Sequence, residues 1–448
     1  MARRLSHDIL GLFGARVVWT VLGLVTGVIL ARKLGPQNRG ILQLALVLPA
    51  TAVTFVKLGV SQANVYFINR ERMSSEEITS NSIVLALTLG LLVAGLVWAG
   101  QSTLLSTVLR GLEPWALALT LVRVPLILLD EYLYGVLQAI GQFRVYTTRM
   151  VVSEILRLVL TVLALIVFHL GLFAAVLILT VVSVFNIGWL LIAMRRQIAY
   201  SLRLDVALLR KQLSFGAKSY VQTLNNHLLL RADNYLISDF LGPSQLAFYS
   251  LGSRFTEMLL EIPQAVGTVL YPRLASSSDH EIHLLTAQAC RRTLLLTGLC
   301  SIPLLIFGPF VITLWYGQDF APAGRPLPWL CAGALAFSVF VILSRDFTSR
   351  NQQRVNIAAG IPALVSNVGL NLFMIPAFGI TGAAMATMIS YSAACIILLI
   401  FYLPSANVSL ADVLIPKRED FQYFWGLARR GMTRRKPGRG MASAGAGE

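Results

Sequence analysis

Eight cationic side chains stand inside long apolar runs of the sequence: Arg16, Lys57, Arg123, Arg157, Lys218, Arg231, Arg254 and Arg345. A guanidinium carries a rigid fork of donors that grips phosphate or carboxylate oxygens in pairs, and a buried lysine adds a point charge. Each such cation facing hydrocarbon at a helix centre costs about 2.5–3.5 kcal/mol. Eight of them would cost on the order of 20 kcal/mol, against a total stability of about 5–15 kcal/mol. They must therefore pair with acids, snorkel to a polar edge, or face an aqueous cavity. Arg157 follows Glu154 at i, i+3, the spacing of an ordinary helical ion pair. Lys218 and Arg345 lie close enough to the ends of their runs to snorkel. Arg254 has Glu257 at i+3, which leaves pairing and cavity roles both open. Arg231 and Asp233, at i, i+2, do not share a helix face. Arg16, Lys57 and Arg123 have no acid three or four residues away. With Arg231 and Arg254 they are the candidate binding residues, and unpartnered cations favour an anionic ligand.

Acids also enter the apolar runs, among them Asp130, Glu131, Asp233, Glu257, Glu261 and Asp346. Buried carboxylates relay protons or bind Na⁺. Asp130, Asp233 and Glu257 are therefore the candidates for coupling to H⁺ or Na⁺, and no other cofactor is expected. The amides Gln62, Asn64, Asn225, Asn226, Asn367 and Asn371 suit either sugar hydroxyls or packing between helices. No metal is expected. The "HEIH" at 280–283 has no further ligands clustered nearby. Cys290, Cys300, Cys331 and Cys395 form no CxxC pair and read as small hydrophobes.

The elements that must carry these residues follow from composition. The chain has 448 residues, 56% hydrophobic and 13% charged, with a mean hydropathy of +0.71. A soluble protein carries roughly 25% charged residues, so lipid must be the solvent for much of this chain. One span takes about 20 apolar residues. Twelve candidate runs start near Ile9, Ile41, Ser80, Trp115, Thr147, Gly171, Phe215, Leu246, Cys290, Pro326, Val355 and Gly379. The first is too long for a cleaved signal and lacks a small-residue cleavage site. The expectation is an all-α integral membrane protein of twelve transmembrane helices, with no soluble domain of ordinary size.

Lys and Arg favour cytoplasmic loops. With twelve spans and both termini cytoplasmic, most of the 37 Lys and Arg fall on that side. Only Arg32, Lys33, Arg39, Arg110 and Arg325 fall outside, and Arg32, Lys33 and Arg39 form a local exception. The net charge of +16 is then spread over one membrane face, where anionic lipid attracts it. It does not argue for nucleic acid.

Short echoes divide the chain. "LGP" at 34–36 returns at 241–243. "GQFRV" (141–145) returns as "NQQRV" (351–355), and "HLGLFAAVLILTVVS" (169–183) as "AFGITGAAMATMIS" (377–390), with Gly171 matched to Gly379. The offsets cluster at 207–210 and keep their order, the mark of a duplication. Six spans per half keep both halves in one orientation, so the repeats are parallel. The expected units are an N-lobe over 1–194, a cytoplasmic linker over 195–214, a C-lobe over 215–403 and a basic cytoplasmic tail over 404–448. Two such lobes suit alternating access, with a substrate site between them.

The segment "RADNYLISDFLGPSQLAFYSLGSRFTEMLLEIPQAVGTVLYPRLA" (231–275) resembles the start of the second lobe in polysaccharide flippases. These are the Wzx-type branch of the multidrug, oligosaccharidyl-lipid and polysaccharide exporter superfamily. Asp233, Leu241, Gly242, Tyr249, Ser250 and Pro272 match its pattern. Residues 31–63 resemble the matching N-terminal segment, "PAFGITGAAMATMIS" (376–390) the turn into the last span, and "PKREDFQYFWGLARR" (416–430) the basic tail. The resemblance covers the chain through about residue 430. It implies a MATE-like fold of two six-helix lobes and a monomer in the bacterial inner membrane. The implied substrate is an undecaprenyl-diphosphate-linked oligosaccharide, moved from the inner to the outer leaflet. The implied partners are that lipid-linked glycan, the bilayer, and glycan polymerase or assembly proteins. A diphosphate headgroup would give the buried cations their purpose. Two relatives by fold stay open: a cation-coupled multidrug exporter and a peptidoglycan lipid-precursor flippase. An integral-membrane glycosyltransferase would need an acid/base constellation, whereas the longest internal loop, 195–214, holds one acid, Asp205.

Overall fold

The computed structural model describes residues 2–195, 198, 205–276, 279–422 and 424–425. The middle of the expected linker and the tail beyond Trp425 therefore lie outside the described residues. So do the side chains of Lys218, Pro272 and His280.

The described chain is helical, with no strand. In order the helices are α1 (Ala2–Val56), α2 (Val60–Asn69), α3 (Ser75–Ala99), α4 (Gln101–Ser106), α5 (Pro114–Ala139), α6 (Phe143–Val162), α7 (Leu172–Arg195), α8 (Val206–Leu241), α9 (Pro243–Ser276), α10 (Asp279–Tyr316), α11 (Leu327–Ser349), α12 (Gln353–Ala406) and α13 (Leu410–Leu414). Among the described residues, seven helical stretches are long and apolar enough to cross a membrane. Large apolar side chains such as Leu96, Phe168, Phe307, Phe310 and Phe373 lie exposed on them. In water such a surface would be an aggregation liability; in a bilayer it is the solvated face. The chain is a multi-pass membrane protein.

Two of the long helices are broken rather than straight. Gly35 interrupts α1 at φ 71°, ψ 174°, and Gly379 interrupts α12 at φ 62°, ψ −143°. The break between α8 and α9 falls at Gly242, at φ 84°, ψ 175°. The two Leu-Gly-Pro sites thus share one backbone conformation. A positive φ needs glycine there, and the following proline restarts a helix because its missing N–H is not needed at the first position. The second echo behaves alike: Gly141 and Asn351 are both left-handed, at φ 72° and 59°. Gln142 (φ −86°, ψ 49°) and Gln352 (φ −105°, ψ 42°) follow them as caps of α6 and α12. The third echo shifts register. Gly171 does not have a positive φ; His169, at φ 51°, does, as Gly379 does at φ 62°. Matching Gly171 to Gly379 therefore aligned letters rather than backbone.

Two apolar clusters form the core. The larger runs through α1–α8 and, at the end carrying Gly35 and Gly242, continues into the second half of the chain. Leu246, Ile312, Phe320, Leu327, Ile375 and Ala383 belong to it. The smaller holds the opposite end of α8–α13, through Leu274, Cys290, Phe340, Leu398 and Tyr402. The halves of the chain thus share a core at the Gly35/Gly242 end; at the opposite end the start of α8 still packs on the first half, with Phe215 stacked on Tyr66 at 4.4 Å, while the rest of α8–α13 keeps its own core.

The merged end is held by close contacts. Ser244 Oγ donates to Gln37 Oε1 at 2.7 Å. Gly40 approaches so closely that a Cβ on it would lie 1.8 Å from the Pro243 carbonyl oxygen. Arg32 donates to the carbonyls of Trp315 (2.7 Å) and Leu314 (2.6 Å), the last turn of α10, whose carbonyls have no partner within the helix. Arg110 donates to the Asp239 carbonyl at 3.0 Å. The cations expected in a loop here lie on a helix. Residues 32 and 39 lie on α1 rather than in a loop, Arg32 on helix-end carbonyls and Arg39 buried.

Candidate functional site

Where the two cores part, α8, α9, α6 and both segments of α1 enclose two adjoining cavities. The smaller, about 230 Å³, is lined by Arg39, Gln43, Arg157, His227, Arg231, Arg254 and Glu257, among others. The larger, about 640 Å³, is lined by Arg16, Trp19, Arg231, Arg254, Glu257 and Glu261, among others. They share Arg231, Arg254 and Glu257. Helical spacing explains the gathering: His227 and Arg231 are i, i+4 on α8, and Arg254, Glu257 and Glu261 follow i, i+3, i+7 on α9.

Acids from neighbouring helices answer several of these cations. Arg231 Nη1 meets Glu257 Oε1 at 2.8 Å, and Arg16 Nη2 meets Glu261 Oε2 at 3.1 Å. The side chains of the second pair are 64% and 61% exposed, so water screens it heavily. Arg157 pairs with Glu154 as its spacing implied. Among the described residues Arg254 has no ion-pair partner. Its guanidinium gathers with Glu154 and Arg157 around Gly23: a Cβ there would lie 3.5 Å from Arg254 Nη2, 3.5 Å from Arg157 Nη2 and 3.4 Å from Glu154 Oε1.

The remaining sequence candidates lie elsewhere. Lys57 pairs with Glu131 at 3.2 Å and lines neither cavity. Arg123 is 7% exposed. It donates to the Ala45 carbonyl at 2.8 Å and to Ser183 Oγ at 3.4 Å, stitching α5 to α1 and α7. Arg345 donates to Gln264 Oε1 at 3.1 Å. Same-helix spacing could not reveal Glu131, Glu261 or Glu257 as partners, because each pair joins different helices. Sequence reasoning also missed Arg39 and His227. Arg39 carried a signal: Pro36 marks a helix start, and Arg39, Gln43, Val47 and Ala50 continue at helical spacing.

Of the acids named for ion coupling, Asp130 is paired with Arg149 and Glu257 with Arg231. Asp233 is buried and has no ion-pair partner among the described residues. Tyr249 Oη donates to Asp233 Oδ2, and Asn234 Nδ2 donates to Asp233 Oδ1 at 3.1 Å. Thr387 lies 3.4 Å from Tyr249 Oη. Buried Asn367 and Asn371 bond to one another at 3.2 Å, and Asn367 Nδ2 and Asn371 Oδ1 lack further partners. The chemistry is that of a carboxylate held among neutral oxygens and amides. Among the described residues no group of His, Cys, Asp and Glu could hold a metal ion.

Broken helices around a polar cavity, split between two halves of a lipid-facing bundle, are the fold of two solved transporters: a multidrug resistance MATE family transporter in its inward-facing conformation, with a TM-score of 0.67 at 16% identity over 87% of this chain and 94% of that one, and a lipid II flippase. The solved lipid II flippase MurJ in its inward closed conformation superposes with a TM-score of 0.74 at 15% identity, covering 95% of this chain and 93% of MurJ. Residues 6–278 match the family described as polysaccharide biosynthesis protein, and the chain belongs to that family. The Wzx-type resemblance of residues 231–275 holds. A putative O-antigen transporter of Shigella flexneri is 22% identical over 407 residues, 85% of this chain and 93% of that protein. A probable low-salt glycan biosynthesis flippase of Haloferax volcanii is 26% identical over 187 residues, 41% of this chain and 40% of its own length.

Proposed function

We propose that the protein moves a lipid-linked oligosaccharide diphosphate from the inner to the outer leaflet by alternating access, without chemical change to it. The observation that carries this reading is the cluster of Arg16, Arg39, Arg157, Arg231 and Arg254 around the shared cavities. Five guanidiniums meet the carboxylates of Glu154, Glu257 and Glu261 there, so positive charge is in excess. That polarity fits a diphosphate and disfavours the organic cations of a multidrug exporter. Arg254 is the first ligand, because no acid must be displaced from it. Arg16 and Arg231 exchange their weak ion pairs for phosphate oxygens. A peptidoglycan precursor carries the same diphosphate, so it remains the second reading.

The described breaks support twelve spans. α1 and α12 are each about twice the length of one span and are broken at Gly35 and Gly379. The matched turns at Gly35 and Gly242, and at Gly141 and Asn351, support parallel lobes over 1–194 and 215–403. Gln37 and Ser244 occupy equivalent positions and bond to each other, as residues beside a pseudo-twofold axis would. In this reading the Gly35/Gly242 end is outer and closed, both termini face the cytoplasm, and the protein sits as a monomer in the bacterial inner membrane. Asp233 is the ion-coupling acid, for H⁺ or Na⁺. Arg123, Asp130 and Lys57 serve structure. Glycan polymerase or assembly proteins are its partners.

Deletion of the gene, followed by analysis of accumulated lipid-linked glycans, tests the function. A diphosphate-linked glycan should accumulate and clear on re-expression of the wild type, but not of Arg254→Ala at equal expression. Absence of any accumulation would refute the reading. In a cysteine-free background, outside-applied reagent should label a cysteine at Gln37 and spare one at Ala199 or Ala442. Outside labelling at Ala442 would overturn the orientation.

A further inference from the structure

A third cavity, about 600 Å³, lies among α8, α9, α11 and α12. Its polar lining is almost entirely amide and hydroxyl: Thr223, Asn226, Gln264, Ser344 and Asn356 are representative. The aromatic pair Phe337 and Phe340, with ring centroids 5.2 Å apart, forms part of the wall. Among the described residues Arg345 is the one cation on it, and no carboxylate lines it. Arg345 is already engaged with Gln264. This lining rejects a cation and has more polar surface than an acyl chain would tolerate. It matches a ligand rich in hydroxyls and amides that presents apolar ring faces.

Position adds to composition. On α8, Thr223, His227 and Arg231 repeat at i, i+4, i+8, one continuous stripe. On α9, Arg254, Glu257, Glu261 and Gln264 form another. The rise of a helix puts Gln264 about 15 Å from Arg254 along α9, and Thr223 about 12 Å from Arg231 along α8. Both displacements run away from the Gly35/Gly242 end, toward exposed Asn351 and Gln353 at the rim. The guanidinium cluster and this cavity are therefore successive stations on the same two helices. Asn356 lines the cavity and is held there by its amide nitrogen, which donates to the Ser344 carbonyl at 3.1 Å and to Thr348 Oγ1 at 3.0 Å.

We infer that this cavity is a glycan compartment: it receives the neutral, hydroxyl- and acetamido-bearing sugars of the substrate while Arg231 and Arg254 hold the diphosphate. The inference rests on the flippase reading above and adds a site to it. It assigns glycan selectivity to α11 and α12 with Thr223, Asn226 and Gln264 of α8 and α9, separate from the headgroup charge read at Arg231 and Arg254. The expected consequence is that substitutions here change which glycans pass without changing the diphosphate requirement.

The test uses the full chain in its native host. A photoreactive benzophenone side chain replaces Gln353 or Ile357 in this cavity, or Met258 beside the guanidinium cluster as the comparison position. After irradiation, the purified adduct is oxidised with periodate and tagged with a hydrazide, which reports carbohydrate. Carbohydrate-bearing adducts at Gln353 or Ile357 are expected. Adding Gln264→Ala should lower their yield about fivefold to tenfold, the loss of about one net hydrogen bond, with a smaller change at Met258. A carbohydrate-bearing adduct at Met258 alone, or carbohydrate-free adducts at Gln353 and Ile357, would overturn the compartment and leave the flippase reading standing. No carbohydrate at any of the three positions would overturn both.

Discussion

The Gly35/Gly242 end of the α1–α8–α9 interface and the cavity-lined stretch beyond it solve opposite problems. At the Gly35/Gly242 end the contacts are short and glycine-mediated. Gly40 admits Pro243, Gln37 bonds Ser244, and Arg32 caps α10. One apolar cluster crosses between the halves there. Farther along, the same helices are held apart by cavities and joined by charges, several of them half-exposed, before the start of α8 closes again on the turn after α1, where a Cβ on Gly216 would lie 2.1 Å from the Leu58 carbonyl oxygen. A seam of backbone contacts between glycine and proline is close-packed and tolerates no added volume. A seam of solvated ion pairs is worth about 0–1 kcal/mol per pair and can be exchanged for a ligand. The difference teaches which part of the interface is shut and which is poised to bind.

The sharpest way to break this contrast is to add volume at the closed end. A Cβ at Gly40 would fall within 1.8 Å of the Pro243 carbonyl oxygen, so Gly40→Val cannot be absorbed by a side-chain rotation. Overpacking of this kind costs about 1–3 kcal/mol, and here opening the seam relieves it. Gln43, which lines the smaller cavity, should become reachable from outside. In a cysteine-free protein carrying Gln43→Cys, outside-applied thiol reagent should label the Gly40→Val variant and not its parent. Transport should fall by more than for any single arginine change. Equal labelling in both would mean that this end is not the closed one.

The next largest effect is expected in the poised stretch. Arg254→Ala removes a cation that holds no ion pair among the described residues. A hydrogen bond to a charged group is worth about 1.5–3 kcal/mol, so affinity for undecaprenyl diphosphate should drop roughly tenfold to a hundredfold, with the protein still inserted. Arg254→Lys should recover only part, since it loses the bidentate fork. Unchanged affinity in Arg254→Ala would detach the cavity from diphosphate binding.

Much of this architecture is legible in the sequence, and the losses have a physical pattern. Composition and run length point to an all-helical membrane protein because lipid leaves few alternatives. The Leu-Gly-Pro echo marks two breaks of identical backbone form because glycine and proline act locally. Pairing fails where it is tertiary. Lys57 and Arg16 look unpartnered along their own helices and meet Glu131 and Glu261 from others. Arg123 looks like a ligand for an anion and instead donates to the Ala45 carbonyl. Arg39 looks like a loop cation because a glycine-proline break reads as a loop, whereas the helix resumes at once. Depth and helix face decided each case, and neither is fixed by spacing within one run.

A smaller effect separates the exposed ion pairs from the guanidiniums that do the binding. In a double-mutant cycle on Arg16 and Glu261, the coupling should stay below about 1 kcal/mol, as for other solvated pairs. Arg16→Ala should slow transport only a few-fold, and Glu261→Gln less still. A coupling of several kcal/mol would mean that this pair locks the protein shut rather than waiting for substrate.

The smallest effect sharpens the contrast from the other side, because one place beyond the poised stretch is sealed by charge. Asp420, beyond α13, is fully buried. It accepts from Arg291 Nε at 2.9 Å, Arg292 Nε at 3.0 Å and the Lys417 amide at 3.0 Å. Burial works against its charge, but the donors outweigh burial and hold its pKa below the usual carboxylate range. A carboxylate depressed in the folded state contributes stability that is present in full above the unfolded value of about 3.9 and fades as pH falls through the folded value. Amide protection across residues 410–420 should therefore be flat from pH 7 to pH 5 and decline only below about pH 4, while the helices that form the Gly35/Gly242 end stay protected. Asp420→Asn should release the segment at pH 7, because it removes the charge that Arg291 and Arg292 share. Protection that persists in Asp420→Asn would show that apolar packing of Val413, rather than the buried ion cluster, holds this strap against α10.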